Sequence, residues 1–304
     1  MFSQHTRQAA LAARENAEAV GQVLRGLKLT LERQVQADII DRIDQLQADL
    51  GGRPTDDFGF NPQAIKPLAP LLAWLYYEYF RVQTFGLTDM PKGRVLFISN
   101  HSGQIPLDAM MVGSSMIFEA NPPRAVRSMV ERWVPTLPFI STLFARVGQV
   151  LGDPENCRTL LQQDEAVLVF PEGVRGINKT WDKKYQLQEF GHGFMRLALE
   201  TNTPIVPVGV VGAEEQYPAL WNLARVAKLV GAPALPITPL FPALGAVGLL
   251  PLPVRYRIYF GRPMTFTGDS HEEENSLVDK VNTVKGAIAD LLARGLAERE
   301  HVFW

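Results

Sequence analysis

The 304-residue chain has a single cysteine, Cys157, so neither an internal disulfide nor a multi-cysteine zinc site is open to it. Cys157 reads as a structural thiol in a reducing compartment. The chain also lacks a large net charge: 30 Lys plus Arg against 32 Asp plus Glu leave −2. No global field exists to gather nucleic acid or an anionic bilayer. A secretory leader is not expected either, because residues 1–20 carry Arg7, Arg14, Glu15 and Glu18 among alanines with no unbroken apolar core. The expectation is a cytoplasmic protein. Residues 229–254 carry no formal charge, but Pro233, Pro236, Pro239, Pro242, Pro251 and Pro253 interrupt them. Each proline deletes a helix hydrogen bond, so the segment reads as an apolar loop or a packed connection rather than a membrane span. The five histidines, His5, His101, His192, His271 and His301, include no pair at helical spacing, and no metal site is expected.

What is present is an ordinary folded composition, with 46% apolar and 20% charged residues. At this length burial alone holds one large domain or two modest ones. From Val20, the residues Leu24, Leu27, Leu31, Val35, Ile39, Ile43, Leu46 and Leu50 recur at steps of three or four, the period of an amphipathic helix. Gly51, Gly52 and Pro54 end it. We therefore expect a helical N-terminal extension over residues 1–62 and an α/β domain over residues 63–304. The patch LAPLLAWLYYEYF at 68–80 is rich in aromatic rings, which suit either a core or an oil–water boundary. Beyond it, short β-branched runs at 95–99, 125–130, 166–170, 204–212 and 254–260 alternate with helical stretches. This pattern predicts an α/β fold with a central, mostly parallel sheet flanked by helices, where ligands sit at the carboxyl ends of the strands.

Two motifs follow such strands. After VLFIS comes NHSGQIPLD, in which Pro106 suits a first helical turn and Asp108 falls in that turn near His101. A carboxylate there can accept the imidazole N–H and fix its tautomer, leaving the other ring nitrogen to take a proton. No G-x-S-x-G elbow surrounds Ser102, which argues against a serine nucleophile. After AVLVF comes PEGVRG, which presents Glu172 and Arg175 from one turn flanked by Gly173 and Gly176. There the glutamate suits a hydroxyl and the arginine forks onto a phosphate or carboxylate, unless the two simply pair with each other. Arg175, Lys179, Lys183 and Lys184 stand against Asp182, and Arg124, Arg127, Arg132 and Arg146 against Glu131, so each cluster carries a local +3. A nearly neutral chain has concentrated cations around these motifs, as an anionic substrate requires.

NHSGQIPLD, FPEGVRG and PIVPVGVVG, in this order and spacing, resemble the glycerolipid (lysophospholipid / 1-acyl-glycerol-3-phosphate) acyltransferase family over residues 75–263. The resemblance implies His101 as general base and Asp108 as its partner, with Glu172, Gly173, Arg175 and Lys179 on the substrate side. Six residues separate His101 from Asp108 where the family usually has four, which marks an atypical branch. The family's second block commonly ends in an arginine on the acceptor phosphate, but the matching residues 148–154 contain none. Arg146 and Arg127 are the cations that could replace it.

The resemblance implies transfer of a fatty acyl group from a thioester, acyl-CoA or acyl carrier protein, to a glycerolipid hydroxyl. It implies no cofactor, and contact with the inner face of a membrane. Four alternatives stay open at this point: an acceptor that is a neutral glyceride or other lipid alcohol, a thioesterase, a transacylase, and a catalytically inactive lipid-binding protein that uses residues 68–80 and 229–254.

Overall fold

The computed structural model describes residues 35–102, 107–131, 140–219, 221–222, 236–238, 245, 248, 250–271 and 273–303. The start of the predicted amphipathic helix, the loop with Pro106, Arg132 and most of residues 229–254 lie outside the described residues. Among the described residues, helix α1 (Val35–Asp49) precedes α2 (Ala69–Ala73), which continues as a π-helical turn over Trp74–Tyr79. Strands β1 (Gln83–Phe85), β2 (Val95–Ser99), β3 (Val126–Val130), β4 (Val150–Leu151), β5 (Ala166–Val169) and β6 (Ile205–Val211) follow. Two short strands, β7 (Trp221–Asn222) and β8 (Pro236–Ile237), pair separately from the main sheet, and β9 (Arg257–Phe260) returns to it. The intervening helices are α3 (Leu107–Phe118), α4 (Ile140–Arg146), α5 (Pro154–Gln162), α6 (Val174–Ile177) and α7 (Gly193–Thr201), with α8 (Glu274–Glu298) closing the chain.

The seven-stranded sheet has the order β1-β9-β6-β2-β5-β3-β4. The strands from β6 to β4 run parallel, and β9 joins β6 antiparallel. The predicted α/β architecture is therefore present, with one edge reversed. All five residues of β2 are buried, as expected for a central strand covered on both faces. Val95 and Phe97 enter one core with Ile39, Ile43, Tyr76, Phe80 and Met111, while Leu96 and Ile98 enter the other with Leu160, Phe194 and Ile288. The same period of two places Val206, Val208 and Val210 of β6 in the first core, and Ile205 and Val211 in the second.

The aromatic patch at 68–80 is mainly core. Ala69, Ala73, Tyr76 and Phe80 are buried, leaving Leu71 and Tyr77 exposed. Cys157 is buried on α5, where burial pushes its thiol up to about 12. This inert thiol belongs to the core. No described helix is long and apolar enough to cross a membrane.

Candidate active site

The chain leaves β2 through Asn100, a fully buried side chain whose Nδ2 donates to Val210 O at 3.0 Å and whose Oδ1 accepts from Val210 N at 2.8 Å. This pairing extends the β2–β6 ladder past its last residue, so the next residue, His101, projects from the carboxyl edge of the sheet. The backbone N of His101 donates to Glu172 Oε1 at 2.9 Å. Its imidazole Nδ1 lies 2.8 Å from Asp108 Oδ2. That oxygen also accepts from Ser102 N at 2.9 Å, and Asp108 Oδ1 accepts from Ala109 N at 2.8 Å. Asp108 is fully buried while the histidine side chain keeps 12% exposure. The result is a buried carboxylate stabilised by three donors and an imidazole with its far edge open. Phe170, the residue after β5, stacks on the imidazole at 4.0 Å and 22°.

Glu172 reaches the same place from β5, but its carboxylate faces inward. It is 1% exposed. Oε1 accepts from His101 N, Oε2 accepts from Gln188 N at 2.7 Å, and Lys179 Nζ lies 3.5 Å from Oε2. Both oxygens thus accept from backbone N–H groups around the histidine. Lys179 is buried, with Nζ 2.8 Å from Glu214 Oε1, and so lies between two carboxylates. Burial pushes the Glu214 carboxyl above its ordinary value, with Lys179 opposing the shift. Beside it, Glu214 Oε2 accepts from Tyr185 N at 2.7 Å, while Glu215 Oε1 accepts from Arg299 Nη1 at 2.8 Å. Burial, with Glu215 adding to it, holds the Tyr185 hydroxyl well above its usual range.

Arg175 precedes Gly176, which packs on His101. It is exposed on α6 and donates to Glu189 Oε2 at 3.1 Å and Glu189 O at 3.0 Å. An exposed pair of this kind contributes about 0.2–1 kcal/mol, so a ligand can displace it. Gly173, with φ 54° and ψ −144°, turns the chain from β5 into α6 in a conformation that favours glycine.

The two arginines proposed to replace the missing second-block cation stand elsewhere. Arg127 is fully buried, ion-paired to Asp56 and set over the Phe60 ring at 5.0 Å. Its neighbour Val126 is level with Ala166, which faces Val95, the first residue of β2. That places Arg127 toward the amino edge of the sheet, at the end opposite His101. Arg146 is exposed at the end of α4, where its carbonyl accepts from Asn61 N at 2.9 Å, beside the Phe60 turn that packs on Arg127.

Five residues around these contacts are given no role by the sequence reading: Asn100, Phe170, Gly176, Glu214 and Glu215. Only the consecutive buried carboxylates after a strand offered an independent signal. Gly176 packs directly on the site, where an added Cβ would lie 2.8 Å from His101 Cβ and 3.0 Å from His101 O and Glu172 Cβ. Gly176→Ala is therefore expected to lower activity by about tenfold or more through a displaced imidazole, at a stability cost of about 1–3 kcal/mol. Steady-state rates at a temperature well below the unfolding midpoint check this, and full activity in the variant would refute the contact.

Among the described residues no group of three or more His, Cys, Asp or Glu side chains is placed to hold a metal ion.

The sequence profile of the acyltransferase family matches residues 81–211, which hold β2, β5, β6 and, among the described residues, His101 with its imidazole partners Asp108 and Phe170. An uncharacterized protein of Mycobacterium tuberculosis is 36% identical over 261 residues, covering 84% of this chain and 73% of its own. A Bos taurus protein described as a DGAT1/2-independent enzyme synthesizing storage lipids is 22% identical over 240 residues, covering 75% of this chain and 67% of its own. A 1-acyl-sn-glycerol-3-phosphate acyltransferase of Limnanthes douglasii is 27% identical over 150 residues, covering 47% of this chain and 48% of its own. With the profile spanning the imidazole site and a relative of this identity sharing most of both chains, the protein belongs to the acyltransferase family.

Proposed function

We propose that the protein transfers a fatty acyl group from a thioester, acyl-CoA or acyl carrier protein, to a hydroxyl of a glycerolipid such as lysophosphatidic acid. The observation that carries this reading is the 2.8 Å contact between His101 Nδ1 and the buried Asp108 carboxylate. An ionised aspartate accepts the Nδ1–H, which leaves the Nε2 lone pair facing the open edge as a base. Nε2 takes the proton of the acceptor hydroxyl as that oxygen attacks the thioester carbonyl. The C–S bond breaks, and the thiolate leaves with the proton returned from the imidazolium. Asp108 and the stacked Phe170 ring stabilise the imidazolium between these steps. Glu172 and Gly176 fix the histidine backbone, and Arg175 supplies a fork for an acidic group on either substrate.

A neutral glyceride acceptor is the second reading, favoured by the absence of an arginine from residues 148–154 and by the storage-lipid activity named for the bovine relative. Exposed Leu71, Tyr77 and Leu250 support peripheral contact with a membrane that presents the acceptor.

The test incubates the purified chain with an acyl-CoA and either lysophosphatidate or monoacylglycerol, and follows free thiol and ester product by mass spectrometry. Thiol release should require the alcohol and match ester formation one to one. Release without an alcohol would make the protein a thioesterase, and vesicle binding with no thiol release would make it a lipid-binding protein.

A further inference from the structure

The described residues contain an unusual pair of cations. Arg81 follows the π-helical turn and has φ 43°, a left-handed backbone that costs a side chain about 1–2 kcal/mol and that helices usually end on with glycine or asparagine. The turn is closed by Phe80 N donating to Leu75 O and Val82 N to Tyr76 O, at 2.8 Å each. Arg255 lies alongside, because Tyr256 N donates to Phe80 O and Gln83 N donates to Tyr256 O, both at 3.0 Å. Arg81 Nη2 donates to Pro253 O, so both guanidinium-bearing residues border the same short segment.

Neither arginine pairs with a carboxylate among the described residues, and the Nε of each is buried without a hydrogen-bond partner. Burial and, next, the Arg255 charge pull the Arg81 guanidinium below its ordinary value. Two like charges held together, one of them on a backbone that favours glycine, lower the stability of the empty protein. An anion between them reverses the sign of that interaction.

The pair also stands at the edge of the sheet that carries His101. Asn100 clamps Val210, and the next residue, Val211, faces Arg257, which in turn faces Gln83. Residues 81 and 255 continue past that edge. Tyr256, next to Arg255 in the chain, donates its hydroxyl to Gln216 Oε1 at 2.7 Å. Burial and then the Asp108 carboxylate hold this hydroxyl well above its usual range.

We propose that Arg81 and Arg255 form a phosphoryl-binding clamp at the carboxyl edge of the sheet. Two forks and two positive charges match a dianion with three terminal oxygens, whereas a lone carboxylate needs only one fork. As an anion site the clamp stands by itself. As a substrate site it rests on the acyl-transfer reading, the phosphoryl group belonging to either a lipid acceptor or the nucleotide of a thioester donor.

Isothermal titration of the full chain with inorganic phosphate tests the clamp, using Arg81→Gly, Arg255→Gln and Arg255→Lys. Arg81→Gly and Arg255→Gln should each weaken phosphate binding about tenfold or more, and Arg255→Lys should retain part of it. Because the clamp opposes folding when empty, Arg81→Gly and Arg255→Gln should leave the ligand-free melting midpoint unchanged or raised. Unchanged affinity in both, wild-type binding no tighter than a chloride control, or lowered ligand-free midpoints in both would overturn the proposal. His101→Ala should still bind phosphate, so a failure of acyl transfer and a failure of the clamp are read separately. Competition of phosphate by glycerol 3-phosphate assigns the clamp to the acceptor, and competition by coenzyme A assigns it to the donor.

Discussion

His101→Ala is expected to lower kcat for acyl transfer by about 10²- to 10⁴-fold, the range a positioned general base contributes, with little change in the KM of either substrate. The alanine variant should fold, because the lost contacts are one hydrogen bond and one ring stack on a partly exposed side chain. Asp108→Asn sharpens the test. Asp108 Oδ2 accepts from both His101 Nδ1 and Ser102 N while Oδ1 accepts from Ala109 N, so the amide NH2 of asparagine faces an N–H donor in either orientation: Ala109 N in one, His101 Nδ1 and Ser102 N in the other. The imidazole then loses its anionic partner, and kcat should fall with little change in KM. Retention of the wild-type rate in His101→Ala, with circular dichroism showing a folded chain, would remove the base from the mechanism. Loss of kcat with an unchanged KM identifies an interaction made only in the transition state.

Glu172→Ala is expected to cost about 3–5 kcal/mol of stability, the penalty for breaking a buried ion pair, and to reduce activity further than the loss of folded protein explains. The variant strands two backbone donors, His101 N and Gln188 N, and removes one of the buried carboxylates beside Lys179. Denaturant unfolding separates this role from direct acceptor binding. A residue that held the acceptor hydroxyl would raise the acceptor KM at unchanged unfolding midpoint, whereas a residue that holds the histidine backbone lowers the midpoint and kcat together. Glu172→Gln preserves the shape and one acceptor oxygen, so it should fall between wild type and Glu172→Ala in both measurements.

How much of this was legible differs from element to element. The runs at 95–99, 125–130, 166–170, 204–212 and 254–260 became β2, β3, β5, β6 and β9, because a strand buried on both faces must be apolar at nearly every position. Strands β1, with sequence QTF, and β4, with sequence VL, carry no such run and were invisible. Their pairing is imposed by neighbours. The reversed direction of β9 was equally hidden, since a strand's side-chain period is the same in either direction. In the site, the motifs NHSGQIPLD and FPEGVRG point to His101, Asp108 and Glu172 by residue type; the His101 imidazole contacts the Asp108 carboxylate, and the Glu172 carboxylate accepts from the His101 backbone N. Arg127 and Lys179 looked equally suitable as cations, yet one is ion-paired to Asp56 in the core and the other is held between two glutamates.

The division has a physical basis. Secondary-structure period, apolar content and the residue types at the ends of two strands are local properties, and from these the sequence alone determined the α/β class, the two-faced core and the residues able to carry acid–base chemistry. Whether a charge is spent inside the fold or left for a ligand depends on partners tens of residues away, as for Glu172 with His101, Arg127 with Asp56 and Arg81 beside Arg255. Strand order and register bring those partners together, so only the tertiary structure decided which of the chain's charges face substrate and which hold the protein in shape.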